Sequence, residues 1–229
     1  MIREEIVHIN GIPKKLVVFL HGYLDNADNV DTQAAVLADL LPDIALHIPQ
    51  SPVPCEVGHN MRQWYSVYRF DPHYDRKNAP TIQEFAAYYN RMTPGLNEAY
   101  GLLQPYLEQT LLEYGLEYKD LVLCGFSQGA MLALYAGLML PESPAGVVSF
   151  SGLLAGNDYL QKHARNHPDI LLIHGTDDQC LRYQSLSLSE RKLKQIGCHT
   201  ECCTITGGTH QIMPEAVEQA AVFIRRHLK

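Results

Sequence analysis

The chain lacks the features that mark several large classes of protein. It has no basic excess: 18 lysines and arginines stand against 25 acids in 229 residues, a net charge of −7. A polyanion-binding protein needs a positive surface, so neither nucleic acid nor an anionic membrane is expected as a partner. No apolar run approaches the roughly 20 residues that a spanning helix requires, so no integral membrane association is expected. Met1-Ile2-Arg3-Glu4-Glu5 carries acids where a secretory leader needs a basic and then an apolar stretch. The expected location is therefore the cytoplasm, where thiols stay reduced. Metal-ligand spacing is missing too: Cys202 and Cys203 are adjacent, while Cys55, Cys124, Cys180 and Cys198 are scattered. Most of the six cysteines are expected as small core residues, with no metal and no organic cofactor. Repeats, low-complexity tracts and linkers are absent, and 229 residues suit one α/β domain over 1–229.

What is present is an alternation of apolar runs and helical spacing. Leu16-Val17-Val18-Phe19-Leu20, ending in His21-Gly22, has the continuous apolar character of a buried central strand. Ile44 to Ile48, Leu121 to Cys124, Gly146 to Phe150 and Ile170 to His174 read the same way, and Cys198 to Ile205 reads as a final strand. Helical segments fall between them, at Val30 to Leu41, Ala130 to Ala136 and Leu181 to Ile196. Thr93-Pro94 is expected as an N-cap followed by proline at the first helical position, with the helix running towards Tyr114-Gly115 and a kink at Pro105. Pro214 opens an amphipathic helix through Val217, Ala220, Ala221, Ile224 and Leu228. This alternation implies a mostly parallel sheet covered by helices on both faces.

One pentapeptide carries chemistry. Gly125-Phe126-Ser127-Gln128-Gly129 lies between a strand and a helix, the context that a nucleophile elbow requires. The serine must stand on a sharp turn clear of the sheet, and the flanking glycines leave room for that backbone. A serine hydroxyl needs a base, and the base needs an orienting acid. Gly175-Thr176-Asp177-Asp178, after the strand ending at His174, offers two candidate acids; His210, in Gly207-Gly208-Thr209-His210, follows the last strand and is the candidate base. Among the eleven histidines, His21, His47 and His174 sit at strand ends and suit structural roles. His199 precedes the last strand, and His163 and His167 read as solvated. The backbone N–H groups of Gln128 and Tyr23 are the expected donors of an oxyanion hole.

With these pieces in order, the chain resembles the phospholipase/carboxylesterase family of α/β-hydrolases, which includes acyl-protein thioesterases. The resemblance rests on Leu20-His21-Gly22, Gly125-Phe126-Ser127-Gln128-Gly129-Ala130, Ser151-Gly152, His174-Gly175-Thr176-Asp177-Asp178 and His210. Met61-Arg62-Gln63-Trp64-Tyr65 is also similar to that family's Met-Arg-x-Trp-Phe segment. The resemblance implies the α/β-hydrolase fold, with Ser127 as nucleophile, Asp178 rather than Asp177 as acid, and His210 as base. It also implies that Trp64 lies close to the acyl pocket and that a homodimer is within the family's range; Trp64 and Tyr65 are expected to wall a compact acyl pocket that binds substrate. Two departures stand out: Tyr23-Leu24 replaces Leu-Gly, and Cys180-Leu181-Arg182 replaces Val-Val-Pro.

The expected function is that of a serine carboxylesterase acting on short-to-medium acyl esters. The polar residues Asp71, His73, Asp75, Arg76, Lys77 and Asn78 stand at the start of Asp71 to Met92, where a long-chain site needs apolar cover. The alternatives are the same machinery acting on a lysophospholipid or an acyl-protein thioester, and a non-catalytic binding protein on the same fold.

Overall fold

The computed structural model describes residues 1–58 and 60–227. In chain order the strands are β1 (Glu5–Asn10), β2 (Lys15–Leu20), β3 (Ile44–Pro49), the short β4 (Val53–Pro54) and β5 (Arg62–Gln63), β6 (Leu121–Phe126), β7 (Gly146–Phe150), β8 (Ile170–Gly175) and β9 (Thr200–Ile205). The helices are α1 (Ala27–Asp39), α2 (Ile82–Arg91), α3 (Thr93–Tyr114), α4 (Gln128–Met139), α5 (Asn157–His163), α6 (Gln184–Ile196) and α7 (Pro214–Arg226). Seven strands form one sheet in the order β1-β3-β2-β6-β7-β8-β9, and β4 pairs with β5 separately. Only the β1–β3 pairing in the large sheet is antiparallel. This is the mostly parallel, helix-covered sheet of an α/β-hydrolase.

Side-chain alternation along the strands divides the apolar residues between two cores. Val17, Phe19, Val122, Cys124 and Val148 face α1 and α7. Leu16, Val18, Leu20, Leu121 and Leu123 face the opposite way, towards α3 and α4. Every residue of α4 is buried, which is why its sequence is apolar all round rather than striped. Parallel pairing also places the carboxyl ends of β2, β6, β8 and β9 along one edge, where the loops of an α/β sheet gather a site.

Several local expectations need correction. The edge strand β1 was not legible, because Glu5, His8 and Asn10 interrupt its apolar positions and it is exposed or half-buried throughout. Thr93 is not an N-cap. Met92 ends α2 and caps α3 at once, and Thr93 Oγ1 instead donates to the Asn90 carbonyl at 2.6 Å. Pro105 does not interrupt α3; it and Gly101 lie on an exposed face, where water can satisfy the freed carbonyl. Cys55, Cys124 and Cys198 are buried, but Cys180 and Cys202 are exposed and Cys203 is half-buried. Leu228 of the expected terminal helix lies outside the described residues. No described helix is long and apolar enough to cross a membrane.

Candidate active site

Strand β6 runs straight into α4, and Ser127 is the single residue between them. Its backbone sits at φ 53° and ψ −113°, left-handed territory that a side chain rarely enters. The turn is held by the Ser127 N–H donating to the Phe150 carbonyl at 2.9 Å. It is also held by close contact: a Cβ on Gly129 would lie 2.2 Å from the Leu20 carbonyl oxygen. Only glycine lets the first turn of α4 rest against the end of β2.

A second close approach builds the other half of the site. A Cβ on Gly175 would lie 2.1 Å from the Gly208 carbonyl oxygen, so the loops after β8 and β9 touch backbone to backbone. They are joined by Asp177 N–H to Gly208 O at 2.9 Å and Gly207 N–H to Thr176 Oγ1 at 2.8 Å. This junction brings Asp178 and His210 together, with His210 Nδ1 2.7 Å from Asp178 Oδ2. His210 Nε2 lies 3.0 Å from Ser127 Oγ.

Asp178 is 7% exposed, and both oxygens are engaged. Oδ1 accepts the N–H groups of Cys180 and Leu181, each at 2.8 Å. Oδ2 accepts from His210 and stands 3.2 Å from His174 Nε2. Burial alone would favour the protonated acid. The His174 and His210 bonds and the backbone donor outweigh it and hold the carboxyl well below the ordinary carboxylate range. Asp177 is exposed, and its Oδ1 accepts from the Thr176 hydroxyl at 2.9 Å. His199 pairs with Asp169 at 3.4 Å, on the entry side of β9.

His174, expected in a structural role, is buried and braces the loop that carries Asp178. Its Nε2 faces two acceptors, the Leu181 carbonyl at 2.9 Å and Asp178 Oδ2, so it must carry the proton. The sequence signal of that contact is the i,i+4 spacing of His174 and Asp178 around the end of a strand.

The loop after β2 is anchored by four hydrogen bonds. His21 Nδ1 donates to the Gly22 carbonyl at 2.9 Å, and its Nε2 accepts from Ser51 N–H at 3.2 Å. Burial depresses the His21 pKa and keeps the ring in that neutral form. The Gly22 N–H donates to Asp25 at 3.1 Å, and Trp64 Nε1–H donates to the His21 carbonyl at 2.9 Å. The side chain of Gln128, 2% exposed, then ties the elbow to the strap at 61–65: its Oε1 accepts from Trp64 N–H at 2.8 Å and its Nε2 donates to the Tyr65 carbonyl at 2.9 Å.

A cavity of about 540 Å³ opens over Ser127 and His210, with Tyr23 and Gln128 on its wall. Tyr65 lines it. Trp64, expected beside substrate, does not: at 1% exposure it is spent on bracing the His21 carbonyl from behind. The segment expected to supply a polar mouth divides. Arg76 and Lys77 line the cavity, His73, Asp75 and Asn78 face solvent, and Asp71 is buried as the partner of Arg76 at 2.6 Å.

The sequence model of the phospholipase/carboxylesterase family matches residues 2–228. The chain belongs to the phospholipase/carboxylesterase family. It is a hydrolase acting on carboxylic ester or thioester bonds. It is 26% identical over 227 residues to acyl-protein thioesterase 1 of Yarrowia lipolytica, covering 93% of this chain and 92% of that one. It is 25% identical over 224 residues to the Arabidopsis thaliana carboxylesterase SOBER1, covering 94% and 92%. The crystal structure of the esterase PE8 superposes with a TM-score of 0.84 at 28% identity over 97% of both chains.

Both departures from the family pattern fall on the cavity. Leu24 occupies the place where glycine is usual, and it keeps the left-handed backbone at φ 55° that glycine would adopt freely. Cys180, Leu181 and Arg182 line the wall after the acid. Asp178, Cys180 and His210 each offer a ligand atom within 4.8 Å of one another. An ion there would compete for the carboxylate that orients His210, and burial pushes the Cys180 thiol up, away from the thiolate a metal needs.

The Gln128 amide gives the first test. Gln128→Ala leaves the Trp64 N–H and Tyr65 carbonyl without partners, each costing about 1–3 kcal/mol. Chemical denaturation should show a clear loss of stability, and kcat/KM should fall as the strap loosens. A variant with wild-type stability and rate would show that the clamp positions nothing.

Proposed function

We propose that this enzyme is a carboxylesterase for short-to-medium acyl esters, with Ser127 as nucleophile, His210 as general base and acid, and Asp178 as the orienting acid. The observation that carries this reading is the continuous hydrogen-bonded line Ser127 Oγ–His210 Nε2, His210 Nδ1–Asp178 Oδ2. Ser127 Oγ attacks the carbonyl carbon while His210 Nε2 takes its proton. The ionised Asp178 holds the Nδ1–H tautomer and stabilises the imidazolium that forms. The tetrahedral oxyanion is received by the backbone N–H groups of Tyr23 and Gln128, the latter at the open start of α4. His210 then gives its proton to the leaving alcohol or thiol, and a water molecule repeats the sequence on the acyl-enzyme. Six free cysteines suit a reducing compartment, and a cytoplasmic enzyme is part of this reading.

Relatives named acyl-protein thioesterase support a second substrate reading, a long-chain thioester. Arg76 and Lys77 on the cavity wall weigh against it, since a long chain would have to pass these charged groups beside the apolar Val67, Phe85, Met131 and Leu181.

Two experiments test the proposal. Ser127→Ala should lose about 10⁴- to 10⁶-fold in kcat with the fold intact. Asp178→Asn should lose about 10⁴-fold through the wrong imidazole tautomer, and Asp177→Asn should stay within a few-fold of wild type. Turnover by pure Ser127→Ala, or Asp177→Asn as the worse of the two, would overturn the assignment.

Chain length tests the substrate class. Each enclosed CH₂ is worth about 0.8 kcal/mol, or about fourfold in kcat/KM. For p-nitrophenyl esters from acetate to palmitate, kept below micelle formation, kcat/KM should rise over the first several carbons and then flatten or fall. A steady climb to palmitate would instead support the thioesterase or lysophospholipase reading.

A further inference from the structure

The catalytic cavity is charged in the opposite sense to the chain as a whole. Three cations line it, Arg76, Lys77 and Arg182, and no aspartate or glutamate is among its lining residues. Arg76 is neutralised by Asp71 at 2.6 Å, but no ion pair holds Lys77 or Arg182 among the described residues. Each cation is set against an aromatic residue of the wall. The Arg76 guanidinium lies 4.8 Å from the Tyr74 ring, Lys77 Nζ is 5.5 Å from the same ring, and Arg182 is 4.9 Å from Phe85. Arg182 is further located by donating to the Ala79 carbonyl at 2.6 Å and the Lys77 carbonyl at 3.3 Å, which ties the loop after Asp178 to the turn that carries Lys77.

Among the described residues, nothing else on the wall offsets this charge. Burial pushes the hydroxyls of Tyr23, Tyr65 and Tyr89 up, so they stay neutral, and the Cys180 thiol is raised as well. The positive end of α4 opens at Ser127 and adds to the same sign. In a protein of net charge −7, two unpaired cations on one catalytic cavity form a local attractor for negative charge.

We infer that the preferred substrates are esters or thioesters bearing an anionic group, carboxylate or phosphate, that is received by Lys77 and Arg182 while the carbonyl sits at Ser127. The inference rests on the esterase reading above and narrows it. It also accounts for a chain-specific feature, since Arg182 belongs to the Cys180-Leu181-Arg182 run that departs from the family pattern.

The test uses two matched pairs at low ionic strength. The first places the charge on the acyl part, p-nitrophenyl hydrogen adipate against p-nitrophenyl methyl adipate. The second places it on the leaving group, the butyryl ester of 4-hydroxybenzoate against that of methyl 4-hydroxybenzoate. In at least one pair the anionic ester should be favoured in kcat/KM, and the pair that shows it names the side of the scissile bond. Lys77→Gln should reduce the anionic-to-neutral ratio by about fivefold, the upper range for a solvent-facing charge pair, and 0.5 M salt should shrink the wild-type ratio. Arg182→Gln should act in the same direction; Lys77→Gln keeps the test valid if loss of the Arg182 bonds unsettles the fold. Ratios that ignore both Lys77→Gln and salt, with the neutral esters still turned over, would overturn the inference and leave the esterase reading standing. Absence of turnover on all four esters would overturn both.

Discussion

Ser127 is held in a left-handed backbone conformation at the end of a buried parallel strand, and the rest of the site is arranged around that turn. The conformation costs on the order of 1–3 kcal/mol and persists only where its surroundings over-determine it. Here they do so on three sides. The Phe150 carbonyl takes the Ser127 N–H, the Leu20 carbonyl leaves no room beside Gly129 for any side chain, and the whole of α4 is buried behind the turn. The strain is therefore carried by the core, not by the loops that meet the substrate.

The electrostatics follow from the same placement. A carboxylate as buried as Asp178 would normally take up a proton. It stays ionised because four donors reach its two oxygens, two from the backbone of its own loop and two from His174 and His210. The negative charge is thus locked behind the imidazole, away from the cavity, while Lys77 and Arg182 stand on the cavity wall itself.

Most of the candidate site is legible in the sequence because its pieces are short and local: a pentapeptide between strand and helix, a Gly-Thr-Asp-Asp turn, a histidine after the final strand. Such motifs announce themselves through backbone demands that few residue types satisfy. The parallel sheet was legible for the same reason, since strands buried on both faces read as unbroken apolar runs. What escaped depended on long-range partners. β1 is an edge strand with a solvated face, so its composition resembles a loop. Trp64 was expected at the substrate and is instead turned to the His21 carbonyl, a contact across 43 residues. The polar tract from Asp71 to Asn78 could not be sorted by composition. Only its fold shows Asp71 buried against Arg76, Arg76 and Lys77 at the cavity, and His73, Asp75 and Asn78 in solvent.

The proposed chemistry requires Ser127 to be an activated nucleophile rather than a residue of a silent fold. Labelling with a fluorophosphonate and mapping the modified peptide tests it most directly. A single stoichiometric adduct on Ser127 is expected in the wild-type protein, with its loss in His210→Ala, where the hydroxyl has no base. An unlabelled wild-type protein, or an adduct on another residue, would contradict it.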